Sequence, residues 1–271
     1  MTSTRALRAH LLAAGLAGTV RNQREASLRA YRLFAARDPR LTLGLDPEHE
    51  WSPAGVLALM ADKCGVPADP ALVAGHDVID PERTLGALRV FAERLGETAA
   101  RRGAVLLGTG HPHHLLGFYA GLADALSAAG CVVLTPAQGQ CVDITTRFGV
   151  RTCHLDYVRG VALVREPGAR SIRSETGAHT HSPLPVRMAL QALSRSGGPL
   201  PELVIGDHGW VCGAGQLGFD AIGLADTDDP APFVGEAERS IAVAVPLDDS
   251  VRSSYYAPLT RYVLNRACLS Q

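Results

Sequence analysis

Histidines and aspartates gather in a few short stretches of this chain, most of them beside glycine. Gly108-Thr109-Gly110-His111-Pro112-His113-His114 places three histidines within four positions. Imidazoles donate to phosphate oxygens, move protons or bind metals. The glycines let the backbone approach a ligand, and the helix that follows presents free N–H groups to an anion. Gly108, Thr109, Gly110, His113 and His114 are therefore candidate phosphate-binding residues, with His111 as the candidate acid or base. A tight turn with exposed histidines is the plainer alternative. The stretch is neither G-x-G-x-x-G nor a P-loop, so it carries no nucleotide fingerprint.

A second stretch, Glu175-Thr176-Gly177-Ala178-His179-Thr180-His181-Ser182-Pro183, puts His179 and His181 on one face if extended, as metal-ligand pairs often are. A polar loop capped by Ser182 fits as well. The third stretch runs from Gly206-Asp207-His208-Gly209-Trp210 to Gln216. Asp207 at a strand end suits a metal ligand, a general base or a helix cap. His208 joins it as a catalytic candidate, and Trp210 in a glycine-rich turn suggests a shaped substrate pocket. In the fourth, Asp226-Thr227-Asp228-Asp229-Pro230, Asp226 and Asp228 are candidate ligands of a hard cation, or members of a solvated acidic turn. Asp248 and Asp249 read as surface.

Alternating apolar runs and helical stretches position these residues. Ala104 to Leu107, a helix over Leu115 to Ala129, and Cys131 to Leu134 make a strand–helix–strand unit, which implies parallel strands. Val161 to Val164, Leu203 to Ile205, Ala221 to Ala225 and Ile241 to Val245 read as further strands. Helices fall at Pro185 to Leu193 and Tyr255 to Asn265. The first hundred residues read as helices, opened by Ser3 or Thr4, by Ser52-Pro53 and by Asp80-Pro81. The expected fold is α/β: an open, mostly parallel sheet with helices on both faces over residues 101–271, and an N-terminal helical region or lid over 1–100. Ligands bind such sheets outside the carboxyl ends of the strands, where the four polar stretches fall.

The 271 residues are 46% hydrophobic, enough to bury a sizeable core. A net charge of −1 gives no electrostatic reason to expect a nucleic-acid partner. The apolar segment Leu11 to Val20 reads as part of an amphipathic first helix, not a leader peptide. No apolar run is long enough to span a bilayer. The six cysteines form no C-x-x-C pair and several sit in apolar runs, which fits the cytoplasm.

Leu107-Gly108-Thr109-Gly110-His111-Pro112, the run from Val204 to Gly218, Ile222-Gly223-Leu224-Ala225-Asp226-Thr227 and the ending Tyr262 to Ser270 resemble an actinobacterial phosphatase family. The resemblance spans essentially the whole chain. It implies a phosphatase, and brings no settled catalytic residues with it. No D-x-D-x-T nucleophile, cysteine-phosphatase loop or R-H-G motif is expected. Val204-Ile205-Gly206-Asp207 with the strand that follows is similar to a late segment of haloacid-dehalogenase-type hydrolases. The Gly-Asp-x-Gly turn is similar to one in glutamate-cyclase-like lyases. The leading expectation is a metal-assisted phosphomonoesterase acting on a small phosphorylated metabolite. Asp207, Asp226, Asp228, His179 and His181 would hold the divalent ion, magnesium first, with manganese and zinc as alternatives. A lyase or cyclase acting on a carboxylate, or a metabolite-binding module, are the alternatives. Homo-oligomerisation is left open.

Overall fold

Along each central strand, successive side chains go to opposite cores. Val105, Leu107, Leu203, Ile205, Ile222, Leu224, Val243 and Val245 enter one; Ala104, Leu106, Val204, Ala221, Ala225 and Ala244 enter the other. A strand buried on both faces reads as a continuous apolar run, which is why the sequence displays these strands so plainly. The architecture comes from a computed structural model, which describes residues 3–146, 149–168 and 177–269.

The chain opens with α1 (Thr4–Ala13), β1 (Gly18–Gln23), α2 (Arg24–Ala35), the short α3 (Pro39–Thr42), α4 (Pro53–Cys64), β2 (His76–Ile79) and α5 (Pro81–Ala100). Its caps are the expected ones: Ser3, Ser52 and Asp80 each accept a first-turn amide, and Pro53 and Pro81 follow. The segment Leu11 to Val20 is helical only to Ala13. Gly15 and Gly18, both at positive φ, then turn it into β1. The antiparallel pair β1–β2 interrupts a region expected to be all helix.

The remainder is β3 (Ala104–Gly108), α6 (Pro112–Ala128), β4 (Val132–Val133), β5 (Cys141–Thr146), β6 (Gly149–Val158), β7 (Val161–Arg165), α7 (Leu184–Ser196), β8 (Leu203–Asp207), α8 (His208–Gly215), β9 (Ala221–Ala225), α9 (Pro230–Ala237), β10 (Val243–Pro246), a 3-10 turn at Ser253–Tyr256 and α10 (Ala257–Arg266). The large sheet runs β10-β9-β8-β3-β7-β6-β5, with β4 beside the start of β3. All pairings from β10 to β7 are parallel, whereas β5 and β6 form an antiparallel hairpin. One core packs α1, α5, α6 and α10 on the sheet; the other packs α2, α4, α7, α8 and α9. Helices therefore cover both faces, and residues of the first hundred enter both cores. No helix among the described residues is long and apolar enough to cross a membrane.

Candidate metal centre and active site

The polar stretches meet where β3, β8, β9 and β10 end. β8 closes on Asp207, and His208 begins α8 with φ +43°, a left-handed conformation that disfavours side chains other than glycine. Such strain costs on the order of 1–3 kcal/mol and gathers at functional sites. Here it goes with an imidazole only 1% exposed and set among carboxylates. His208 Nδ1 lies 2.6 Å from Asp229 Oδ2, and its Nε2 lies 3.1 Å from Asp249 Oδ2. His208 Nε2 also faces His111 Nδ1 directly. His111 Nδ1 is 3.7 Å from Asp249, and His181 Nδ1 is 3.7 Å from Asp229. The His181 and His208 rings stack at 4.0 Å between centroids, and the His111 and His179 rings lie 4.1 Å apart.

The segment 177–182 brings its two histidines in by crossing the sheet edge. Ala178 N–H donates to the Val164 carbonyl and Thr180 N–H to the Gly110 carbonyl, which turns His179 and His181 toward His111. Gly110 permits this crossing: a Cβ there would lie 2.0 Å from the Thr180 carbonyl oxygen. Glu175 and Thr176 of the same stretch lie outside the described residues.

Several expected site residues have other partners. Both Asp207 oxygens are engaged within the protein: Oδ2 accepts from the Thr109 hydroxyl and Oδ1 from Gly110 N–H, each at 2.6 Å. Thr109 Oγ1 in turn accepts from His111 N–H, and Thr109 N–H donates to Ala162. The amides of Thr109, Gly110 and His111 thus already have acceptors, so the expected backbone cradle for phosphate is not free. Trp210 lies on α8 and is 5% exposed, packed into the core. Its ring covers Gly108, where a Cβ would lie 2.3 Å from Trp210 Cε2. The glycines of the third stretch likewise meet protein: a Cβ on Gly209 would lie 2.3 Å from the His181 carbonyl oxygen. Asp226 is buried and accepts from Thr227 N–H, while Asp228 accepts from Asn22. His113 is exposed, and half-buried His114 bonds the Val251 carbonyl.

Two acids were undervalued. Asp229 and Asp249 are 3% and 4% exposed and flank His208. Asp248, also expected at the surface, is fully buried; it accepts from Arg21 N–H and from Ser250. The signal was present, since Asp248 and Asp249 follow β10 as Asp207 and Asp226 close or follow β8 and β9. β1 and α2 reach across to this edge as well: Asn22 bonds Thr227 and Asp228, and the Tyr31 hydroxyl donates to the Thr227 carbonyl.

The family model described as Phosphatase matches residues 2–271 of the chain. The chain belongs to the phosphatase family. The phosphatase SCO2771 of Streptomyces coelicolor is 42% identical over 264 residues, covering 96% of this chain and 94% of that protein. Family membership makes this protein a hydrolase, in preference to the lyase and binding-module alternatives.

The phosphatase carries a His/Asp cluster able to hold a metal ion. Two overlapping triads have their donor atoms within reach of one ion: His111, His181 and His208, and His208, Asp229 and Asp249. In the cluster the buried His181 Nε2 has no hydrogen-bond partner, whereas His208 Nδ1 and Asp249 Oδ2 are held in ion pairs, with Asp229 at 2.6 Å and with His208 Nε2 at 3.1 Å. Burial and the neighbouring His208 charge push His111 far below the ordinary imidazole range, His179 down to about 4 and His181 down to about 3. Neutral imidazoles are the form that a cation requires. Burial also opposes charge on His208, but Asp229 and Asp249 outweigh it and raise its pKa well above ordinary. Burial raises Asp229, yet His208 and His181 outweigh that and hold it at about 2.

The C-x5-R spacing of cysteine phosphatases does occur, at Cys141/Arg147 and Cys153/Arg159. It forms no phosphate loop around either cysteine. Cys141 and Cys153 lie in the paired strands β5 and β6, and Arg147 is outside the described residues. Cys153 is 3% exposed, and burial pushes its thiol up, away from the thiolate a nucleophile needs.

Proposed function

We propose that this phosphatase is a metal-assisted phosphomonoesterase acting on a small phosphorylated metabolite, with the ion held by His111, His181, His208, Asp229 and Asp249. The observation that carries this reading is the meeting of imidazole and carboxylate donor atoms in two triads that share His208, with the buried His181 Nε2 beside them left without a hydrogen-bond partner. A buried polar atom without a partner costs about 1–3 kcal/mol, and a cation satisfies several at once. Imidazoles mixed with carboxylates suit zinc or manganese better than magnesium, which takes oxygen ligands and keeps its waters. Such an ion, when bound, supplies Lewis acidity toward phosphoryl oxygens and a lowered pKa for water.

The protein's own groups divide the remaining work. Asp229, against His208, orients the imidazole and sets its tautomer. Asp207 and Thr109 fix the backbone that carries His111, acting on position and not as ligands. The N-terminus of α6 adds partial positive charge beside the cluster, and the exposed His113 on its first turn offers an N–H donor to the phosphate, while His114 donates to the Val251 carbonyl. Asp226 and Asp228, adjoining Asp229, complete an acidic floor.

The helices of 1–100 are read as part of the packing on both faces of the 101–271 sheet, α1 and α5 on one and α2 and α4 on the other. Free cysteines and a net charge of −1 support a cytoplasmic protein without a nucleic-acid partner. Phosphate release from a panel of phosphomonoesters tests the function, using chelator-treated protein with zinc, manganese or magnesium restored. Zinc or manganese should restore turnover. Release at the same rate in chelator would remove the ion from the mechanism.

A further inference from the structure

The loop after β10 turns its acids inward and leaves two arginines outside. Asp248 and Asp249 are 0% and 4% exposed, whereas Arg252 on the same loop and Arg21 on β1 are exposed. Among the described residues, neither guanidinium lies within ion-pair distance of a carboxylate. Arg21 Nη1 donates to the Ser250 carbonyl at 3.2 Å, and Arg252 lies over the Tyr255 ring, 6.0 Å from its centroid. A guanidinium is a planar fork of donors that matches a carboxylate or phosphate edge to edge. Most of the Arg21 fork is unused.

The same loop fixes where Arg21 stands relative to the His/Asp cluster. Its main chain is tied on both sides: the N–H donates to Asp248 Oδ2 at 3.0 Å, and the carbonyl accepts from His76 Nδ1 at 3.2 Å. Asp249, next to Asp248, enters the cluster, 3.1 Å from His208 Nε2. Ser250 gives its carbonyl to the Arg21 guanidinium, and Val251 gives its own to His114 Nδ1 at 2.8 Å. The guanidinium therefore stands over the loop between Asp249 and the first turn of α6, one residue, or about 4 Å of chain, beyond Asp249. A phosphoryl group at the cluster is met by the cluster itself. An unpaired cation one residue farther out meets what the ester carries beyond its phosphate.

We propose that Arg21 recognises a second anionic group on the substrate, which makes the substrate a small phosphomonoester bearing a carboxylate or a further phosphate a few bonds from the scissile one. Arg252 adds to the positive rim. The proposal rests on the reading of the His/Asp cluster as the active site.

Matched pairs of esters test it. 3-Phosphoglycerate is set against glycerol 3-phosphate, in which a hydroxymethyl replaces the carboxylate, and fructose 1,6-bisphosphate against fructose 6-phosphate, which lacks the further phosphate. kcat/KM is measured for each, with Kd by calorimetry for a pair that is not turned over. The wild-type protein should prefer the acidic member of at least one pair about 10- to 100-fold, the worth of a charge-assisted hydrogen bond. The pair that shows the preference tells carboxylate from phosphate. Arg21→Gln should erase it, chiefly through KM, and Arg21→Lys should keep part of it. Both should match wild type by circular dichroism, because Asp248 and His76 hold only the main chain of Arg21. Arg89→Gln, at an exposed arginine of α5, should keep the whole preference. No wild-type preference in either pair overturns the proposal. So does an equal loss on both members of a pair in Arg21→Gln, which would give Arg21 a structural or phosphoryl-binding role. Turnover that persists in chelator overturns the metal reading alone, since the preference is a ratio that reads Arg21 with or without an ion. Full turnover in a folded His111→Asn variant would overturn the cluster as the active site, and the proposal with it.

Discussion

Replacing Asp207 with asparagine should change stability in opposite directions at low and high pH. Burial pushes the Asp207 carboxyl from 3.8 up to about 6, although the His208 charge and the bonds from Thr109 and Gly110 pull it down. An acid raised by folding contributes stability that is fully present below pH 3.8 and is lost as pH rises through about 6. The loss amounts to about 3 kcal/mol, at about 1.4 kcal/mol per tenfold change in proton affinity. Asparagine has no such loss. Its carbonyl can still accept from Gly110 N–H, and its amide can donate to Thr109 Oγ1. The Thr109 hydroxyl proton then lacks its acceptor, at about 1 kcal/mol. Metal-stripped Asp207→Asn should therefore be about 1 kcal/mol less stable than wild type at pH 4, and about 1–2 kcal/mol more stable at pH 8. Urea unfolding across that range measures both, and ion counting on the same samples should show no lost ion. An equal deficit at both pH values would refute the buried-charge argument, and a lost ion would make Asp207 a ligand.

Gly110→Ala should cost about 1–3 kcal/mol by overpacking and lower turnover at least about tenfold, because the new methyl meets the Thr180 carbonyl and displaces His179 and His181. Gly117→Ala is its control on α6, with open space around the added Cβ, and should gain up to about 1 kcal/mol in thermal melts with turnover unchanged. Asp229→Asn should weaken ion affinity about 10- to 100-fold in chelator competition; unchanged affinity would leave Asp229 no part in the centre. Glu238 accepts from Glu48 N–H, His49 N–H, the His49 ring and Trp51 Nε1. Burial raises its pKa, but these donors outweigh it and the net shift is downward from 4.5. Its contribution is thus present above pH 4.5 and fades as pH falls through the lowered value. Glu238→Gln should cost about 1–3 kcal/mol at pH 7 and progressively less in acid, read from urea midpoints.

The strand ends were legible because β3, β8 and β9 are unbroken apolar runs stopped by glycine or aspartate. The hairpin of β5 and β6 was not, because only Val142, Ile144, Cys153 and Leu155 of its residues turn inward among threonines, arginines and aspartates. The glycines of α8 read as a turn in the sequence, yet they serve to bring a helix against the 181–183 backbone. Convergence of His111, His179, His181 and His208 follows from the order β8-β3-β7, which no local pattern encodes. The choice among acids was equally hidden. Asp207 and Asp229 both follow strands, and only the hydrogen bonds to Thr109 and Gly110 separate a positioning residue from one that faces His208.

The bonds by which β1 and α2 hold the acidic edge have a consequence for the life of the chain before it is an enzyme. Arg21 to Asp248, Asn22 to Asp228 and Tyr31 to Thr227 join residues 227, 206 and 196 positions apart. During synthesis from the N-terminus, β1 and α2 emerge long before the strands they brace, and wait without partners while most of the protein is translated. Contacts so distant in sequence make folding slow, and they leave the unfinished chain exposed to aggregation and proteases. The proposed metal centre, which includes Asp249, could not assemble on a nascent chain that stops short of β10. On that reading, ion loading would follow release from the ribosome, and a product truncated before β10 would lack the centre.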